Sequence, residues 1–473
     1  MAGEINEKCA VSAIVSDGEP ASPFVYESLR LMQHRGEEAS GIASQPDNCA
    51  LQTHRKEGLV FDVYSRTDLE RLAGSVAIGH NRYSTDGKER HPQPYEDPAL
   101  GLAFAHNGNL PVIEPLKEFL ANGGIKIENY NDSEMMGLAI AQYMRGGLEL
   151  PDAIEKAYPL FGGAFSCVAM QGDVAVAFKD SKGIKPLAFA QFDDKRAIAS
   201  ETCGLDVDGA KYVREIEPGE MMIITKDSVE PRQIAEGQPK LDMFEFVYFS
   251  KHDSYLYGQR VNEVRRRFGQ RLAVEHPPIT DDCDKVLVIP VPDTSVPAAQ
   301  AYAHKLGLEL RNSLIKDRFI GRTFMQPTNE LRVQQLKRKL ILITEDVVDR
   351  DVIYIDDSIV RLNTMPGLIE KAQKAGARSV TVLVASAPYR FPDFYGTDTP
   401  NQKKLAAANM TVEQMRNEIN CLYLGYLSLS GMVEATGLPA DMFNLSCFNG
   451  DYPIDIGANK DKIYAPVSME FTE

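Results

Sequence analysis

The chain has 473 residues, 44% hydrophobic and 25% charged, with seven cysteines and a formal net charge of −16. That length supports two or three separate cores, and the acidity excludes a general affinity for nucleic acid or anionic membrane, so any phosphate ligand needs a local basic cluster. Irregular cysteine spacing without a CxxC pair argues against a disulfide framework or zinc site, and no apolar run could span a bilayer.

In chain order, residues 10–16 and 76–78 are apolar runs of strand type, and 25–33 carries helical periodicity. From 164 onward, short strands are expected at 164–170, 174–178, 197–200 and 221–225, joined by turns rich in Gly, Asp and Lys. Without long helices between them, they imply layered sheets. The polar stretch 231–240 has the composition of a linker. Beyond it, strands and helices alternate: strand 285–291, loop Pro292-Asp293-Thr294-Ser295, helix 296–305, strand 352–355, helix 366–375 and strand 379–385. Units of this length imply a parallel sheet, with ligands at the carboxyl ends of its strands.

Polar motifs punctuate the first half: Cys9 ahead of a strand, Gln33-His34-Arg35-Gly36, Gly79-His80-Asn81-Arg82-Tyr83-Ser84-Thr85, Ala105-His106-Asn107-Gly108-Asn109 and Asn131-Asp132-Ser133-Glu134. Each reads as loop or strand-end sequence, where chemistry is usually carried. Their order and spacing resemble the class II glutamine amidotransferases, the N-terminal-nucleophile group. The resemblance implies that Cys9 attacks the side-chain amide of glutamine after removal of residues 1–8 as a propeptide. The freed α-amine, with a reference pKa of about 8, would then take the thiol proton. It also implies that Asn107 and the Gly108 amide hold the oxyanion, Arg82 the glutamine α-carboxylate and Asp132 its α-ammonium. Ala10 stands where the family usually has glycine.

In the second half, Val352-Ile353-Tyr354-Ile355-Asp356-Asp357-Ser358-Ile359-Val360-Arg361 is an apolar strand ending in two carboxylates and a loop. Such a pair can bind ribose hydroxyls while loop amides and a helix N-terminus hold a phosphate. The segment is similar to the type I phosphoribosyltransferase fingerprint. With Phe244-Glu245-Phe246-Val247-Tyr248-Phe249, Lys316-Asp317-Arg318-Phe319-Ile320-Gly321-Arg322-Thr323-Phe324, Gly425-Tyr426-Leu427-Ser428-Leu429 and Gly450-Asp451-Tyr452-Pro453, nearly the whole chain resembles the amidophosphoribosyltransferases.

That resemblance implies a four-layer αββα Ntn-hydrolase domain at 9–235, then a parallel-sheet type I phosphoribosyltransferase domain at 241–473. It implies an enzyme that moves ammonia from glutamine to phosphoribosyl pyrophosphate, the first step of de novo purine synthesis, in a cytoplasmic homotetramer inhibited by purine nucleotides. Asp356, Asp357, Ser358, Arg361, Thr364 and Arg322 would bind phosphoribosyl pyrophosphate, and Thr294 with the Asp pair would hold Mg²⁺. Arg318, Arg322, Arg332, Lys337, Arg338 and Lys339 would supply the positive field. Some members hold an iron–sulfur cluster on four cysteines; the matching positions here are Met243, Asp393, Asn444 and Cys447, and one thiol cannot hold it, so no cluster is expected.

After Arg361 the family continues Gly-Thr-Thr, whereas this chain has Leu362-Asn363-Thr364. Leucine there is expected to intrude where backbone would approach phosphate. It favours a second reading, a paralogue with a decayed sugar site acting as a regulatory or nucleotide-binding protein. A third, a plain glutaminase or an amidotransferase for another acceptor, is opposed by the retained Asp356-Asp357 pair.

Overall fold

Alternation along the first strand explains the architecture of the first half. In the computed structural model, which describes residues 9–46, 49–83, 92–205, 209–316, 340–397 and 399–467, this strand is Ala10–Ser16. Its residues Val11, Ala13 and Val15 enter one apolar cluster with Ala103, Ala105, Val168 and Met170. Its residues Ala10 and Ile14 enter another with Val25 and Leu29 of the helix Ser22–Leu31. A strand buried on both faces must lie between two layers.

Seven antiparallel strands form the first sheet, with Ala10–Ser16 at its centre between Val76–Arg82 and Lys195–Ala199. Six form the second, in which Leu102–Val112 pairs with Gly162–Gln171. The outward residues Leu102, Phe104, Phe165 and Cys167 meet Met136, Ile140 and Ile154, from the helices Asp132–Arg145 and Leu150–Ala157. The order is therefore helix, sheet, sheet, helix, as expected for the αββα class. Two expectations shift. The segment 105–109 lies inside an 11-residue strand, not at a loop. Part of the stretch 231–240 is paired, because Val229–Gln233 forms the edge strand, where Pro231 is tolerated.

The second half is built on five parallel strands, in the order Glu309–Leu310, Val286–Pro290, Asp351–Asp356, Ser379–Val384 and Tyr423–Tyr426. Alternate residues again divide between two cores. Val288, Ile353, Ile355 and Leu383 pack with the helices Val261–Glu275 and Val296–Leu306. Ile289, Val352, Tyr354 and Val382 pack with Leu368 and Ile369 of Met365–Lys374 and Met415 of Val412–Ile419. Both faces are covered, as a parallel sheet requires. Residues 1–8, Ser84, Thr85, Arg318, Arg322, Arg332, Lys337, Arg338 and Lys339 lie outside the described residues.

Candidate functional site

Cys9 stands immediately before the strand Ala10–Ser16, half-buried, with its Sγ 3.9 Å from the carbonyl oxygen of Tyr83. Continuing the strand alternation by one residue turns Cys9 toward the gap between the sheets, the side taken by Val11. Asn107 has the same parity as Ala103 and Ala105 and faces that gap from the second sheet. Its side-chain nitrogen is buried and finds no hydrogen-bond partner among the described residues, a donor desolvated in advance of any ligand. The adjoining Gly108 has φ +147°, and a Cβ there would sit 2.0 Å from the Ala164 carbonyl oxygen and 2.9 Å from His106 Nε2. Only glycine fits that turn of the chain.

The two sheets are tied beside this point. His80 pairs with Val11 across the first sheet, and its Nε2 donates to the His106 carbonyl at 3.2 Å. Burial, with the charge of Arg82, pushes His80 down to about 3, so it stays neutral. His106 is also lowered by burial; its Nδ1 meets Ser133 Oγ at 3.1 Å. Asp132 opens the helix Asp132–Arg145, where Asn131 and Glu134 form a capping box, and its carboxylate stays partly exposed 3.9 Å from His106 Nδ1. Arg82 ends its strand beside these groups. Cys9 and Arg82 thus stand at adjoining ends of two paired strands of the first sheet, Asn107 and Gly108 lie inside a strand of the second, and Asp132 opens the helix beside His106.

Sequence reading gave Arg35 no role, yet it is 1% exposed and central. Its Nε donates to the Cys9 carbonyl at 3.2 Å, and its terminal nitrogens to Glu201 at 2.5 Å and Glu245 at 2.9 and 3.1 Å. Glu201 also accepts from Lys251 N at 2.8 Å and Ser254 Oγ at 2.7 Å. Although burial opposes the charge, His34 and Arg35 hold this carboxyl well below its usual range. Gly36 completes the turn, because a Cβ there would lie 2.7 Å from the Asn81 carbonyl carbon. The quoted motif Gln33-His34-Arg35-Gly36 was the available signal; its partners at 201 and 245 are too distant in sequence to be read.

In the second half, Asp356 ends the strand Asp351–Asp356, and Asp357 and Ser358 follow it, all three buried. The Asp357 amide donates to Asp356 Oδ1 at 2.9 Å, and Ser358 Oγ donates to Asp357 Oδ1 at 2.8 Å. Thr294, in the loop after Val286–Pro290, donates to the other Asp357 oxygen. Burial raises the Asp357 carboxyl, and the Thr294 and Ser358 hydroxyls oppose that. Thr364 is the N-cap of Met365–Lys374, and its side chain makes no cap bond to the helix that follows the loop of Arg361, Leu362 and Asn363. Leu362 is half-buried and packs on the core that holds Leu368 and Tyr354. The apolar core holds it by removing its surface from water.

The matched iron–sulfur positions have other employment. Asp393 accepts from the amides of Tyr395 at 2.9 Å and Thr397 at 2.8 Å, Asn444 accepts from Ser446 N at 3.1 Å, and Met243 and Cys447 join the apolar core. No helix among the described residues is long and apolar enough to cross a membrane.

A four-layer antiparallel sandwich with a cysteine at its central strand, joined to a parallel sheet ending in an Asp pair, defines a two-part glutamine amidotransferase. A glutamine amidotransferase domain family matches residues 80–206. The amidophosphoribosyltransferase of Synechococcus elongatus is 39% identical over 460 residues, covering 95% of this chain and 92% of that protein. That of Bacillus subtilis is 35% identical, covering 96% and 95%. The solved glutamine phosphoribosylpyrophosphate amidotransferase from B. subtilis, complexed with ADP and GMP, superposes with a TM-score of 0.86 at 34% identity, over 95% of this chain and 98% of that one. The chain belongs to the amidophosphoribosyltransferase family.

Proposed function

We propose that this chain is a glutamine-dependent amidophosphoribosyltransferase, making 5-phosphoribosylamine, glutamate and pyrophosphate from glutamine and phosphoribosyl pyrophosphate. The division of labour follows the two halves, 9–235 for glutamine and 241–473 for the sugar, with residues 1–8 removed to free the Cys9 amine. Cys9 Sγ attacks the glutamine amide carbon as its own α-amine takes the thiol proton. Asn107 Nδ2 and the Gly108 amide hold the developing oxyanion. Arg82 grips the substrate α-carboxylate and Asp132 its α-ammonium, fixing the amide over the thiol.

Released ammonia then travels inside the protein to the sugar site, where it displaces pyrophosphate from the anomeric carbon. Asp356 and Asp357 bind the ribose hydroxyls. Ser358, Arg361 and Thr364, with the uncapped helix amides, hold the 5-phosphate, and Arg322 supports the diphosphate. Mg²⁺ fits Thr294 and the Asp pair, two carboxylates and a hydroxyl that leave the remaining positions to phosphate oxygens and water. When bound, it supplies neutralisation of the departing pyrophosphate.

The observation that carries the reading is the meeting of Thr294 with Asp357 across adjacent parallel strands, beside Asp356. Inhibition by purine nucleotides belongs to the same proposal, supported by the relative solved with ADP and GMP, and a homotetrameric assembly completes it. The test is pyrophosphate release from phosphoribosyl pyrophosphate with Mg²⁺ and ammonium chloride, without glutamine. Release well above an Asp356→Asn control supports the reading; equal release from both folded proteins refutes it.

A further inference from the structure

The side chain of Gln93 holds the immediate neighbours of two residues assigned to glutamine. It is 6% exposed and stands two residues ahead of Tyr95–Asp97, the edge strand of the second sheet. That strand pairs Tyr95 with Phe104 and Asp97 with Leu102, so the same register carried back two residues sets Gln93 against His106. Pro94, which lies between, has no amide to give to a ladder. The Gln93 side-chain amide takes over the pairing. Its Oε1 accepts from the His106 amide at 2.7 Å and its Nε2 donates to the His106 carbonyl at 3.4 Å, as a neighbouring peptide would. A main-chain amide can only donate, so this contact also fixes which end of the side chain is oxygen. The same Nε2 donates to Ser133 Oγ at 3.0 Å. Ser133 follows Asp132 in the helix Asp132–Arg145; its amide donates to Asp132 Oδ1 at 2.8 Å and its hydroxyl lies 3.4 Å from that oxygen. The main chain of Gln93 is seated on the first sheet. A Cβ at Gly41, in the strand Ala39–Ser44, would lie 2.0 Å from the Gln93 carbonyl oxygen, so glycine permits that approach, and Arg55 of Gln52–Glu57 donates to the Pro94 carbonyl. One residue therefore joins the sheet that Cys9 leads into, the strand that carries Asn107 and the helix that begins with Asp132.

We propose that Gln93 is a positioning residue for glutamine hydrolysis, whose one side-chain amide sets the spacing between Asn107 and Asp132. This rests on the assignment of the oxyanion to Asn107 and of the α-ammonium to Asp132. Glutamine must bring its amide carbonyl to the first and its ammonium to the second. Both ends of that span hang on Gln93: Asn107 through the preceding His106, and Asp132 through the following Ser133. A misplacement of about 1 Å in such a frame is enough to lower turnover about a hundredfold.

The test measures glutamate release from glutamine by wild type, Gln93→Met, Ser133→Ala and the double variant. Methionine keeps the length of glutamine and removes both polar atoms. For Gln93→Met the expected result is a kcat lowered about 10- to 100-fold together with a raised KM. Ser133→Ala loosens the Asp132 side and leaves the Gln93 contact to His106, so KM should rise at least about threefold with kcat near wild type. The double variant should lose less than the product of the two single losses, because both cut one chain of contacts. Ammonia-dependent pyrophosphate release, which uses the other half, should be unchanged in all three. Wild-type kcat and KM in Gln93→Met overturn the proposal and leave the roles of Asn107 and Asp132 standing. An equal fall of both activities makes Gln93 a structural residue and overturns it as well. Should Gln93→Met fail to fold, an unchanged KM in Ser133→Ala overturns it. Wild type that releases no glutamate overturns the reading of the glutamine site itself, and the proposal with it.

Discussion

The guanidinium of Arg35 meets the carboxylate of Glu245 at 2.9 and 3.1 Å, joining residues 210 positions apart across the boundary between the antiparallel and parallel sheets. Because the same side chain donates to the Cys9 carbonyl, the main chain of the candidate nucleophile rests on a buried ion cluster anchored in the other half. Arg35→Met would leave Glu245 and Glu201 buried without the guanidinium they share, Glu201 keeping His34 as a basic partner. A cost of about 3–5 kcal/mol is expected for such an uncompensated charge. Denaturant unfolding measures it; a midpoint equal to wild type would mean that the cluster contributes nothing. Glu245→Gln keeps an acceptor for Ser250 Oγ, now 2.6 Å away, and should cost less.

Cys9→Ala should abolish glutamate release from glutamine while leaving ammonia-dependent pyrophosphate release intact. Cys9 precedes a strand of the first antiparallel sheet, whereas Asp356 ends a strand of the parallel sheet, so the sugar chemistry does not need its thiol. Parallel assays with glutamine and with ammonium chloride check this. Loss of both activities from a folded variant would contradict the division of labour.

Asn107→Ala removes a buried donor that makes no hydrogen bond among the described residues. Its loss should therefore fall on the transition state rather than on the fold, with kcat for glutamine hydrolysis reduced by about 10²–10³-fold. Thermal unfolding should move little. A large loss of stability with kcat nearly unchanged would make Asn107 a structural residue.

The parallel sheet was legible because strands buried on both faces read as continuous apolar runs: 285–291 is observed as Val286–Pro290 and 379–385 as Ser379–Val384. The strand Leu102–Val112 was hidden for the opposite reason. Its apolar alternation stops at His106-Asn107-Gly108-Asn109, where polar side chains replace core residues while main-chain pairing continues to Val112. Cys9, Asn107 and the Asp pair could be picked out because each lies in a compact local motif. The Arg35 cluster could not, since one chain gives no measure of which of its acidic residues return to a given arginine.

His80 gives the protein an acid-sensitive joint between its two antiparallel sheets. Its ordinary value is 6.5, and burial lowers it to about 3 in the folded chain. Below pH 6.5 the unfolded chain takes up a proton that the folded chain refuses until about pH 3, so the native state loses stability as pH falls through this window. One such group contributes a slope of about 1.4 kcal/mol per pH unit within it. His80→Gln keeps a donor for the His106 carbonyl and removes the titration. Denaturant unfolding between pH 4 and pH 7 should therefore show a shallower acid dependence in the variant, by one proton. Parallel curves for the two proteins would mean that His80 is protonated in the native state as readily as in the unfolded one.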